Sequence, residues 1–345
     1  MAMALVAAAS LIALSPRASA EADIICFGCC ASPCCDVCGP PGGGSFVRLA
    51  GRYGHQAAIR SDGTVACWGA NHRGQCNVPA GLGFARDIAV GEDFTVAVLA
   101  DGTIRCWGFY VGWIGLPLGI QDAVEAAAGL GHSAIRDAAG VVHATGHTAP
   151  AGLVASRIAS GDEHLLAIRQ DGTLVAWGVN SSGQCSVPLG LGACIAAAGG
   201  GSHSIAITRE GAVRCFGANN YGQCSVPAGL GPALGAAAGR EHTVVLLADG
   251  SLRGWGRNFW GESTPPPVSS ARRIACGWSS SYAILGPACP SDLNRDGAVD
   301  GEDLSLLLYA WGSTDLAAGP ADIDSDWMVG HSDLAILLAD WGSCQ

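Results

Sequence analysis

Two stretches near the C-terminal end space carboxylates as a hard cation requires. Asp292-Leu-Asn294-Arg-Asp296-Gly297-Ala298-Val-Asp300-Gly-Glu-Asp303 sets side-chain oxygens at loop positions 1, 3, 5, 9 and 12, the Ala298 carbonyl at 7 and glycine at 6. That is the ligand order of a calcium loop with Asp replacing Glu at the last position. Asp322, Asp324, Asp326 and Asp333 repeat positions 1, 3, 5 and 12 thirty residues later, with the Met328 carbonyl at 7. Trp327 replaces the turn glycine and Gly330 offers no side chain at position 9, so two calcium sites are expected, the second weaker. The other reactive candidates are nine His and 16 Cys. No Cys stands in a nucleophile motif beside a partnered His.

The elements that must position these groups divide by charge. Residues 287–345 hold 11 of the 29 Asp and Glu against Arg295 alone, so this segment carries −10 of the chain's −11 and the body is nearly neutral. All 18 basic residues are Arg, without any run that could track a phosphate backbone, which argues against a nucleic-acid partner. Residues 1–20 join an apolar stretch, Ala2–Leu14, to Ala18-Ser19-Ala20 and read as a secretory signal peptide, an uncleaved anchor being the alternative. No other segment approaches spanning length, so no membrane span is expected after cleavage, and the expected location is secreted or cell-surface. Export turns the cysteines, six of them within residues 26–38, into disulfide candidates.

The body repeats. Its unit is Gly-x-x-His-x-x-Ala-Ile, an Asp-Gly turn, then Val-x-Cys-Trp-Gly-x-Asn-x-x-Gly-Gln-Cys-x-Val-Pro. The first anchor falls at His55, Phe94, His132, His164, His203, His242 and Ser280. The aromatic-Gly ending falls at Trp68, Trp107, Trp177, Phe216 and Trp255, with Thr145 in its place in unit three. The missing seventh ending matches Ile24-Ile-Cys-Phe-Gly28, so one unit is expected to be built from both ends of the body, which shuts a ring of sheets. With four short strands per unit, residues 21–286 are expected to form a seven-bladed β-propeller. Cysteines nine apart, Cys67 with Cys76, Cys215 with Cys224 and Cys26 with Cys35, are expected to form bridges within blades.

These residues resemble the regulator of chromosome condensation repeat family and its secreted bacterial relatives, among them a propeller-type β-lactamase inhibitor. The resemblance implies the fold and its use as a binding platform. The two acidic loops, each followed by a helix without an entering one, resemble a type I dockerin with EF-hand-like loops over residues 287–345. That resemblance implies a small all-α calcium-binding domain and a cohesin-like protein partner. Cys289 and Cys344 flank it and are expected to clasp its ends.

The recurring His reads as framework, because Phe94 and Ser280 fill the same place. Variation is more informative. The free pairs of Asn-x-x-Gly-Gln and those preceding each anchor are expected to share one face, carrying Tyr110, Trp113, Tyr221, Phe259 and Trp260. An acidic arc of Glu92, Asp93, Asp162, Glu163 and Glu241 is expected beside them. Unit three, seven residues short, should leave a notch. The expected function is non-catalytic binding of a protein or glycan, with calcium-dependent attachment to a surface or extracellular complex. The alternatives are a polysaccharide-degrading enzyme and an inhibitor of a secreted enzyme.

Overall fold

The computed structural model describes residues 24–28, 45–109, 119–286, 291, 293, 298–299, 301–312, 321, 323, 329–339 and 341–343. Residues 1–20, the expected signal, lie outside the described residues, as do Tyr110 and Trp113.

Alanine-rich and β-branched runs separated by Asp-Gly turns fold into antiparallel triplets. Within each turn the aspartate fixes the reversal itself: Asp62 Oδ1 accepts hydrogen bonds from Thr64 N (2.9 Å) and Thr64 Oγ1 (2.7 Å), and Asp101 does the same with Thr103. Blade one is Phe46–Arg52, His55–Arg60 and Val65–Gly69; blade two is Ala85–Val90, Phe94–Leu99 and Ile104–Gly108. Blade three is Ala123–Ala128, Ser133–Asp137 and Val142–Thr145; blade four is Arg157–Ser160, His164–Ile168 and Leu174–Gly178. Blade five is Cys194–Gly199, His203–Thr208 and Val213–Gly217; blade six is Ala233–Ala238, His242–Leu247 and Leu252–Gly256. Blade seven takes Ala271–Cys276 and Ser280–Leu285 from one end of the body and Ile24–Gly28 from the other, paired from Ile24↔Ile284 to Gly28↔Ser280.

Among the described residues the seven sheets form an all-β propeller of three-stranded blades rather than four-stranded ones. The Cys-x-Val-Pro segment after the third strand, where a fourth would have to lie, spends its amides on local turns, Asn77 N on Gly74 O and Val78 N on Cys76 O, and its proline has no N–H to give. The first strand of each blade packs against the first strands of both neighbours, closing the ring around a channel of about 240 Å³. At least one alanine from every blade, from Ala50 to Ala275, lines it, and side chains this small let the seven strands approach the axis. Between blades lies the core: Ala57 and Ile59 meet Ile88, Val90 and Trp107, while Leu166 and Ile168 meet Ala206 and Phe216. Burying each such aliphatic side chain contributes about 1.5–3 kcal/mol.

The C-terminal segment contains helices Gly301–Tyr309 and His331–Ala339 and a two-residue strand pair, Ala298–Val299 with Gly342–Ser343. Leu293, Val299 and Leu307 from the first half pack with Ile323, Val329 and Leu337 from the second, the same offsets in both. Leu308, Trp311, Leu338 and Trp341 are exposed. Among the described residues no helix is long and apolar enough to cross a membrane.

Cys215 and Cys224 are bonded. Cys67 and Cys76, in the same frame of blade one, face each other with sulfurs 3.0 Å apart but unbonded, a difference from the expected bridge. The loop geometry already brings them into contact, so only oxidation separates them from the sister pair. Cys35, Cys289 and Cys344 lie outside the described residues. Peptide mapping after expression in an oxidising compartment should find both Cys67–Cys76 and Cys215–Cys224 joined; Cys67 joined to any other cysteine would contradict this geometry.

Candidate functional site

The Gly-x-x-His motif explains itself in the packed ring. At Gly129, Gly161, Gly200 and Gly239 a Cβ would overlap the imidazole of the anchor three residues on, and at Gly91 it would overlap the ring of Phe94. The anchors are buried, and each of the five histidines among them bonds forward to the next blade. His55 Nε2 lies 3.0 Å from Thr95 Oγ1, whose hydroxyl donates to Gln75 O at 2.9 Å. His164 with Ser204 and Gln184, His203 with Thr243 and Gln223, and His242 with Ser281 and Glu262 repeat the arrangement. A hydroxyl that donates to a carbonyl must accept from the imidazole, so Nε2 carries the proton.

Unit three lacks the loop and its carbonyl. Blade four accordingly carries Leu165 where blades two, three, five, six and seven carry a hydroxyl and blade one carries Gln56, His132 turns to Ser160 Oγ (2.9 Å), and Trp177 Nε1 donates to His147 O (3.3 Å).

The frame Asn-x-x-Gly-Gln is consumed holding its own loop. Asn71, Asn180 and Asn219 accept from the cysteine amides five residues on, while Gln75, Gln184 and Gln223 accept from Arg73 N, Ser182 N and Tyr221 N. In loop six Glu262 replaces the glutamine and accepts from Trp260 N (2.7 Å); Arg257 stands 3.6 Å from this buried carboxylate. Only the free pairs remain outward. Tyr221, Phe259 and Trp260 are 46%, 71% and 50% exposed, and Tyr221 meets Phe259 edge-on, their ring centroids 6.5 Å apart. Both free sets lie at one end of the blades, as bonds such as Val179 N to Glu163 O and Arg257 N to Glu241 O show.

The acidic arc is largely neutralised within the same face. Asp162 is held by Arg52 at 2.7 Å, Glu241 by Arg257 at 3.0 Å, and Asp93 by His72 (3.3 Å) and Gln75 Nε2 (3.1 Å). Glu92 hydrogen-bonds Tyr53, although burial first, and then Asp93 and Asp162, raise its pKa. Glu163 is exposed.

Four residues escaped the sequence reading as site members: Arg52, Tyr53, Arg240 and Trp278. Six blades place glycine three residues before the anchor; blade one places Arg52 there. Its guanidinium crosses the channel mouth to Asp162, to Ser160 O (2.6 Å) and to Gly199 O (3.3 Å). A two-residue turn makes room for it, with Arg52 paired to His55 and Tyr53 at φ 52°, a conformation costing about 1–2 kcal/mol. The departure from glycine was the readable signal. Around the mouth, successive loops share backbone bonds: Leu130 N to Asp162 O, Asp162 N to Gly200 O, Gly201 N to Arg240 O, Arg240 N to Trp278 O and Trp278 N to Tyr53 O.

Of the proposed metal ligands, Asp303 and Asp333 are described, both fully buried, with Oδ1 accepting from Leu293 N and Ile323 N at 2.6 Å. Ala298 lies in its short strand. Asp292, Asn294, Asp296, Asp300, Asp322, Asp324, Asp326 and Met328 lie outside the described residues.

Burial holds the anchor imidazoles below their ordinary 6.5, at about 4 for His55 and His203 and about 3 for His132, His164 and His242. Protonation would also place a donor on Nδ1, which has no partner at His55, His132, His164 and His203. The folded-state values lie below the unfolded one, so the stabilisation is fully present above about pH 6.5 and lost as pH falls toward 4 and then 3. Each group steepens the loss by up to ~1.4 kcal/mol per pH unit. The urea midpoint should therefore fall sharply below about pH 6, and His203→Phe should shallow the fall; a flat profile would exclude buried neutral imidazoles.

Residues 85–109, 155–184, 194–223 and 236–261 match the Regulator of chromosome condensation (RCC1) repeat. Prp20p from Saccharomyces cerevisiae is similar in structure, with a TM-score of 0.63 at 17% identity over 77% of this chain and 92% of that one. Human WBSCR16 gives a TM-score of 0.59 at 17% identity, over 70% and 88%. The ectodomain of the Physcomitrella patens receptor kinase CR4 gives 0.54 at 21%, over 68% and 69%. At such identities the likeness is one of fold. No curated protein matches the sequence. The chain carries RCC1 repeats, and they are built into an RCC1-like β-propeller.

Proposed function

We propose that the protein is an exported, non-catalytic β-propeller that binds a protein or glycan through its loop face and is attached to an extracellular complex by a calcium-ordered C-terminal module. One observation carries the reading of the face: its carboxylates are mostly engaged by its own Arg, His and Tyr side chains, while Tyr221, Phe259 and Trp260 stand exposed. Paired carboxylates are poor acids and bases, whereas exposed aromatics beside Arg are the usual material of recognition. Prp20p, reported to bind Gsp1p and histones, supports reading this fold as a protein-binding platform.

For the module, the two last-position carboxylates support calcium. Asp303 and Asp333 are buried and each accepts from the backbone at the same position of its loop, and the carboxylates spaced along both loop sequences suit a cation of this class. Asp292, Asn294, Asp296, the Ala298 carbonyl and Asp300 would complete the first site; Asp322, Asp324, Asp326 and the Met328 carbonyl the second. Calcium would neutralise these carboxylates and let the halves pack. The dockerin resemblance makes a cohesin-like protein the partner.

A pull-down from the native exoproteome, with and without a chelator, separates the two activities. Capture by the module should vanish with the chelator, and capture by the ring should vanish in the Tyr221→Ala, Phe259→Ala, Trp260→Ala triple variant while its melting temperature stays nearly unchanged. Calorimetric titration should show calcium uptake in the micromolar to millimolar range, weakened by Asp303→Asn. No heat on addition would remove the module assignment.

A further inference from the structure

We propose that Arg240, stacked on Trp278 at the channel mouth, receives a carboxylate from a protein partner, and that an apolar side chain beside that carboxylate rests on the corner formed by Tyr221 and Phe259. The inference rests on the loop-face reading and narrows its ligand to an acidic protein segment.

The state of the polar side chains separates protein from glycan. A sugar is read by planar amides and carboxylates around an open aromatic face. Here Asn219, Asn258, Gln223 and Glu262 already bind their own loops, and Glu241 is held by Arg257. Two of the aromatic rings already carry a cation: Arg257 lies 5.0 Å from the centroid of Phe259, and Arg240 lies 4.3 Å from that of Trp278, with Tyr53 edge-on at 3.9 Å. What the surface still offers is guanidinium and aromatic edge, the composition of protein-interface hot spots.

Charge then selects the partner group. Arg52 is tied to Asp162, Arg257 to Glu241 and Arg73 to Asp93. Arg240 is exposed and makes no ion pair with a described residue. The nearby acids do not compete for it, because Asp162 is taken by Arg52 and Glu92 by Tyr53. The main chain of Arg240 is held on both sides, by Trp278 O (3.3 Å) and by Gly201 N (3.1 Å), so the guanidinium is offered from an ordered loop. A stacked guanidinium with free N–H edges fits a carboxylate in two parallel hydrogen bonds.

Selection of a phage-displayed random peptide library against the full-length protein tests this. Enriched peptides should carry Asp or Glu next to an aromatic or branched aliphatic residue. Their affinity should fall at least about tenfold with Arg240→Gln, and Arg209→Gln, an exposed arginine at the opposite end of the blades, should leave it unchanged. Thermal melting of both variants confirms folding. Absence of enrichment, peptides without an acidic residue, or undiminished binding by Arg240→Gln overturns the inference. A glycan-array signal that needs Phe259 and Trp260 but not Arg240 overturns it while the loop-face reading stands. If no ligand of either kind depends on Tyr221, Phe259 or Trp260, that reading falls as well.

Discussion

At four junctions of the ring one hydroxyl of the next blade accepts a hydrogen bond from a buried imidazole and donates one to a loop carbonyl. Imidazole, hydroxyl and carbonyl, from two blades, meet there among buried residues. Apolar burial between blades supplies most of the attraction, but it does not set their angle or height. The hydroxyl does, because a shift of either blade would leave a buried donor or acceptor unpaired at about 1–3 kcal/mol. The glycine roof over each ring, the neutral state of the imidazole and the position of the following loop are all consequences. Unit three shows the same constraint from the other side: with its loop gone, the hydroxyl is gone too, and Leu165 fills the place.

The junction also decides what the loops can do. Since the carbonyl at its centre belongs to the Asn-x-x-Gly-Gln frame, that frame is rigid, and variation is confined to the two residues between its fixed members. Charges on the face settle into local pairs, with the acid of one loop answered by an arginine from its own or a distant blade. Asp93, Asp162 and Glu241 stand in this way and Glu92 bonds the Tyr53 hydroxyl, so what had the appearance of an acidic surface presents aromatic rings and arginine edges.

Much of this was legible in the chain because it is local or periodic. The repeat keeps register since every blade must bury both flat sides against neighbours, and Ile24–Gly28 could be recognised as a displaced ending for the same reason. Calcium-loop ligands lie within one short stretch and need no tertiary knowledge to propose. The fourth strand was misread, because Cys-x-Val-Pro looks extended until its amides are traced into turns. The pairing of Asp162 was invisible for another reason: Arg52 stands 110 residues away and meets it only across the channel. A pattern of one dimension shows that Arg52 breaks a glycine rule but not where its side chain goes.

The split blade has a consequence for the order of events in folding. Six blades can assemble from hairpins whose strands are neighbours in sequence, on the fast time scale of local contacts. Ile24 must find Ile284, 260 positions on (284 − 24), so the joint that completes the ring is the one with the largest loop to close. Until Ser280–Leu285 has been synthesised, strand Ile24–Gly28 has an edge with no native partner. In a crowded solution of half-made chains, the same edge fits blade seven of another copy, and speed of closure stands between a ring and a tangle of exchanged strands.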